Sequence, residues 1–153
     1  MISYHFAGKD DLFAACVAEI EQETGAAMAP HLQVARGPVE RLRAYIEADV
    51  ALVAEHGAAV RALIDLLKHG VAHSPGVDGR QELFEHHFQE GQAVGAFRSF
   101  DTATVAAAII AGLDVTVWRA AHAAEPPDPT ELARLGRELA DLYVRATTEG
   151  NDR

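Results

Sequence analysis

Four residues near the middle of the chain are spaced to share one side of a helix. Tyr45, Asp49, Leu52 and His56 follow i, i+4, i+7 and i+11, a stripe beside an apolar face. A phenol, a carboxylate and an imidazole among apolar neighbours are the groups that orient a small molecule in a mainly hydrophobic pocket. Two further sets share this character. His87 lies between Phe84 and Phe88, and Asp114 stands one turn before Trp118. An acid pair near aromatic rings favours a cationic or amphipathic ligand. Each residue also has an ordinary explanation. Tyr45 and Trp118 suit a core edge with one polar atom satisfied, Asp49 suits an ion pair with Arg61, and His87 suits a hydrogen-bonded core histidine. Asp114 serves either a pocket or a subunit contact.

Eight histidines raise metal binding as a second chemistry. His69 and His73 are four apart, as two ligands on one helical face would be, and His86 and His87 follow. Gly70 and the HSPG step put His73 at or past a helix end, and no carboxylate or cysteine stands at a matching interval. The sequence therefore calls for no metal and no cofactor. Catalysis has less support. There is no GxSxG, no phosphate-binding glycine loop and no HExxH. Glu82, Glu85 and Glu90 lack the histidine three residues on that a helical di-metal centre needs. A metal-dependent helical enzyme is the least supported reading.

These residues need helices to place them, and helical spacing of apolar residues runs through almost the whole chain. The expectation is an all-α bundle of about six helices. The first runs from about Lys9 to Thr24, with Asp10 and Asp11 in its first turn, and Gly25 and the Ala29-Pro30 step end it or weaken it. The second starts at Pro38 and carries Val39, Leu42, Ile46, Val50 and Val53 on one stripe, stopping at His56-Gly57. A shorter third spans about 58–69, and a fourth about 79–94. The fifth, capped by Asp101 or Thr102, continues to about Ala123, and the sixth runs from about Pro129 to Thr147.

The last two helices bear on assembly. Leu132, Leu135, Leu139, Leu142 and Ala146 step by three and four, the period of coiled-coil packing. VAAAIIAGL, 105–113, is apolar around its whole circumference, so it must be covered on all sides. A second copy of the chain is the expected cover, with Ile109, Gly112, Leu132, Leu135, Leu139 and Leu142 at the contact. The central helix of a monomeric bundle is the alternative. That apolar run is too short to span a bilayer. A single cysteine, Cys16, and the absence of a secretory pattern in MISYHFAGKDD fit a reducing cytoplasm and no membrane. A formal charge of −10 makes these 153 residues a poor binder of phosphate backbones.

The opening residues ISYHFAGKDDL carry a resemblance. They are similar to the junction between the DNA-reading helix and the following helix in TetR-family bacterial regulators, with Tyr4, His5, Phe6, Lys9 and Leu12 at matching spacing. GQAVGAFRSFD, 91–101, resembles that family's lead into its dimerisation helix, and IIAGLDVTVW, 109–118, resembles the helix itself. The resemblance implies a C-terminal ligand-binding and dimerisation domain. Residues 1–8 would be the remnant of the recognition helix, 9–148 the effector domain and 149–153 a polar tail.

It also implies that Tyr4, His5 and Lys9 touch DNA phosphates, which position without reading bases. The family's preceding helices are not in the sequence, so DNA would be reached only through that N-terminal segment. Met1 would be an artificial or misassigned start, or the product a true truncation. The implied partners are a second copy and a small-molecule effector. A small-molecule-binding helical dimer with no DNA role, or one that pairs with full-length subunits, is the other reading.

Overall fold

The computed structural model describes residues 8–68 and 75–148. They form five helices: α1 Lys9–Gln33, α2 Pro38–Lys68, α3 Pro75–Ala93, α4 Thr102–Ala121 and α5 Pro129–Thr148. No strand occurs among the described residues. The expected second and third helices both lie within α2 and meet at a kink at His56, whose φ of −118° and ψ of 21° leave the helical region. Gly57 follows, and its poor helix propensity marks the weak point where the break was expected.

α1 runs past its expected end, through Gly25 and Pro30. A proline inside a helix deletes one backbone hydrogen bond and crowds the preceding turn. Pro30 lies three residues before the end of α1, so the disruption is confined to its final turn. Gly37 then takes a positive φ of 91°, a conformation open to glycine, and turns the chain into α2. Glu40 closes that turn by accepting the Arg36 backbone N–H at 2.7 Å.

α2 is the helix enclosed by the others: α1, α3, α4 and α5 all pack against it. Leu42, Ile46, Val50 and Val53 are buried as their spacing requires. Ala48, Leu52 and Val60 are buried as well, so more than one face is covered. The apolar run at 105–113 is therefore not on the central helix. In α4 the chain itself buries one stripe only, Ala106, Ile109, Leu113 and Val117. By length and composition alone α4 is apolar enough to cross a bilayer, and 22% of that apolar window is buried within the chain.

The Gly-rich turn between α3 and α4 is held from both sides. Gly91 O accepts from the N–H groups of Ala96 and Phe97, and Gly95 adopts a φ of 73°. A side chain at Gly91 would overlap the Phe97 ring, so the glycine lets that ring close over α3. Phe97 joins Phe84, Phe88, Phe100 and His87 in a cluster of packed, mostly edge-to-face rings. Arg98 donates to the carbonyl of Ala146, and its N–H to that of Thr147, satisfying the C-terminal turn of α5. Asp101 caps α4 by accepting from the Thr104 N–H at 2.7 Å.

α5 is rotated relative to its expected seam. Its buried residues are Leu132, Gly136, Ala140 and Thr147. Gly136 lets it approach the α2 backbone, where an added Cβ would lie 3.3 Å from Glu47 Cα. Leu135 and Leu139 pack partly against the chain's own core, while Leu142 stays exposed. Ile109 and Leu132 are sealed inside the subunit, and the space over Gly112 is filled by Tyr143. Five of the six expected contact residues, Ile109, Gly112, Leu132, Leu135 and Leu139, therefore have their cover at least partly within the chain. The leucine period was real, but α2 takes much of it.

Candidate functional site

A cleft of about 480 Å³ lies between the C-terminal end of α1, the start of α2 and the middle of α3. Ala29, Leu32 and Gln33 line it from α1, and Arg41, Leu42 and Tyr45 from α2. Leu83, Phe84, His86, His87 and Glu90 supply the third wall. Its volume falls in the range of small-molecule sites, and most of its surface is apolar.

Of the residues singled out in the sequence, Tyr45, Phe84 and His87 line this cleft. The others do not. Leu52 and Phe88 are core residues. His56 faces Glu23 at 2.8 Å, tying the bend of α2 to α1. Trp118 stacks on His122 at the far end of α4, where His122 Nε2 also meets Asp65 at 3.1 Å. Asp49 and Asp114 belong to a polar cluster beside the cleft. Tyr4 and His5 lie outside the described residues, as do His69, His73 and the tail 149–153. Lys9 opens α1 and stands over the Phe13 ring.

Arg80 makes that polar cluster. Its Nε donates to Tyr45 Oη at 3.0 Å, one terminal nitrogen to Asp114 at 2.6 Å and the other to Asp49 at 3.2 Å. One guanidinium thereby fastens α3 to both α2 and α4. Burial works against its charge, but Asp49, Tyr45 and Asp114 outweigh it and hold Arg80 well above the usual range. Burial pushes the Asp49 carboxyl up, with Arg80 opposing, and burial also raises the Tyr45 phenol. The expected partner Arg61 is replaced by Arg80, and the expected lean towards a cationic ligand falls with it. The cation facing this acid pair comes from the protein itself. Sequence reasoning passed over Arg80 although it stands four residues before Phe84, on the inner side of α3.

His87 is fixed at the other end of the cleft. Its Nε2 lies 2.9 Å from the Pro38 carbonyl oxygen, and Phe88 and Phe97 pack beside the ring. Burial lowers its basicity against the pull of the Pro38 carbonyl, so the ring is held towards its neutral form. Arg41 and Glu90, of opposite sign, are both exposed residues at the cleft, and Glu90 also meets His86 at 3.2 Å. Among the described residues no three His, Cys, Asp or Glu side chains converge as a metal site would require.

The five-helix arrangement has the fold of solved TetR-family regulators. A regulatory protein in that family from Rhodococcus RHA1 matches with a TM-score of 0.67 at 18% identity, over 94% of this chain and 76% of that one. PfmR, a TetR-family transcriptional regulator from Thermus thermophilus, gives 0.67 at 22% identity, over 97% and 80%. AibR, solved with isovaleryl coenzyme A and operator DNA, gives 0.63 at 20%, over 94% and 77%. No protein-family model matches the sequence, and no curated protein does. At these identities the likeness establishes the fold.

Proposed function

We propose that this chain is the effector-sensing and dimerisation domain of a TetR-like transcriptional regulator. The observation that carries the proposal is the cleft itself: α1, which leads back to the residues resembling a DNA-reading helix, forms one of its walls. A ligand that fits better against one placement of α1 shifts the population towards that placement. In a dimer, such a shift alters the separation of two DNA-reading segments placed before α1, and the ligand and DNA affinities become reciprocally linked. The acidic effector domain then takes no direct part in holding DNA.

The second copy sits on the outer faces of α4 and α5. Val115 and Leu142 are 54% and 57% exposed, Trp118 is exposed on the same helix as Val115, and Ala107, Ala108 and Ala111 are exposed as well. An apolar surface left uncovered by its own chain is the ordinary mark of a protein interface. AibR, of the same fold, was solved with an acyl-coenzyme A and with operator DNA. That supports both a small-molecule effector and a DNA partner here.

Two measurements test the reading. Sedimentation at micromolar concentration is expected to give a dimer, and a monomer would remove the coupling step. Selection of genomic fragments on the full gene product is expected to enrich one operator, released by a small molecule that also raises the melting temperature. Ligand binding without any DNA enrichment would favour a helical sensor with no DNA role.

A further inference from the structure

We propose that the cleft takes a neutral, mainly apolar molecule bearing one hydrogen-bond donor, a hydroxyl or amide N–H, and that His87 Nδ1 receives it. The proposal rests on the cleft being the effector site.

The argument begins with the Pro38 carbonyl. A carbonyl oxygen only accepts, so the 2.9 Å contact requires the proton to be on His87 Nε2. The half-buried ring is held towards its neutral form, and a neutral imidazole carries one N–H. Nδ1 is therefore a lone pair. Among the described residues that atom has no hydrogen-bond partner. It is not sealed in the core either, because no fully buried side-chain nitrogen or oxygen is left unpaired among the described residues. His87 forms part of the cleft wall, and that is where an open acceptor on its ring meets a ligand.

The rest of the cleft sets the remaining properties. Leu32, Leu42, Leu83 and Phe84 offer apolar surface, which an uncharged body covers. Arg41 and Glu90 at the cleft are opposite in sign, so no net charge selects an ion. The Tyr45 oxygen already accepts from Arg80 Nε, while its own O–H stays a donor. A ligand donor on Nδ1 would share one imidazole ring with Pro38, the first residue of α2 beside the Gly37 turn. Recognition thereby touches the joint between α1 and α2.

The test uses three probes of nearly equal shape: para-propylphenol, para-propylanisole and para-propylbenzoate. Calorimetry at neutral pH is expected to show the phenol binding about tenfold more tightly than the anisole, the worth of one hydrogen bond. His87→Phe is expected to bring the two within about twofold while keeping anisole binding. If that variant does not fold, nitrogen NMR of the unaltered protein decides. The His87 Nδ1 resonance should sit in the unprotonated range and move with the phenol but not the anisole. Equal binding of phenol and anisole, tightest binding of the benzoate, or a protonated Nδ1 would overturn the proposal. Binding of none of the three would instead overturn the effector-site reading, and this proposal with it.

Discussion

Arg80 and Asp49 face each other across 3.2 Å inside the bundle, 31 positions apart in sequence and 21% and 15% exposed. The pair is sheltered enough that neither charge is fully hydrated, and each depends on the other. Replacing the arginine would leave a carboxylate, already strained by burial, without its counter-ion. Arg80→Met is expected to cost about 3–5 kcal/mol in urea unfolding, the range for breaking a buried pair from one side. Adding Asp49→Asn should recover part of that loss, because the stranded charge is gone. A loss below about 1 kcal/mol would mean the pair behaves as a surface ion pair.

Gly91 gives a steric prediction. A methyl group there would overlap the Phe97 ring and lie 3.2 Å from Pro38 Cβ, with the aromatic cluster behind it. Gly91→Ala is expected to destabilise by about 1–3 kcal/mol, as overpacking does, despite the better helix propensity of alanine. Gly112→Ala meets the end of the Tyr143 side chain, a part-exposed group that can swing away, so its effect should be smaller. Equal denaturation midpoints for the two variants would contradict the close packing at Phe97.

His87 makes stability depend on pH in a definite direction. Its folded pKa lies below the ordinary value of 6.5 because burial disfavours the charged ring. The unfolded chain then binds more protons, so this contribution is intact above about pH 6.5 and is lost as pH falls below it. Urea midpoints at about pH 7.5 and about pH 5.5 should therefore fall less in His87→Gln than in the parent. His56 and His122 are present in both proteins, so the difference isolates His87. Parallel pH profiles would show that the ring titrates as it does in the unfolded chain.

Two of the four expected seam leucines separate folding from assembly. Leu139 packs partly on the core of its own subunit, whereas Leu142 is 57% exposed. Leu142→Glu is expected to leave helicity and melting of the subunit nearly intact while shifting sedimentation from dimer to monomer. Leu139→Asp should lower the melting temperature itself, because it places a charge against the core. A dimer that survives Leu142→Glu would move the interface to another face of α4 and α5.

Local signals in the sequence carried the elements. Pro38 and Pro129 open helices, Asp101 caps one, and the bend at His56-Gly57 falls where a break was expected. Each is decided within a turn or two of chain, by dihedral preference or by a side chain reaching its own backbone. The run of α1 through Gly25 and Pro30 went the other way, since packing against α2 can outweigh a weak local preference. Candidate residues followed the same division. Tyr45, Phe84 and His87 stand at the cleft, and aromatic and titratable groups on an inner helical face are visible from spacing.

The tertiary structure alone decided which groups meet. A helix turns about 100° per residue, so periodicity gives a face to within a residue and says nothing of what stands opposite. That is why Asp49 was matched to Arg61 rather than Arg80, and why the spacing of the α5 leucines did not reveal that Leu132 is buried within its own chain or that Gly136 lies against α2. The α1 wall of the cleft, Ala29, Leu32 and Gln33, carried no chemical mark at all. It became part of the cleft only when α1 packed across the start of α2. The chain's own residues determine where helices begin, bend and end; long-range packing determines their rotation, and with it the cleft.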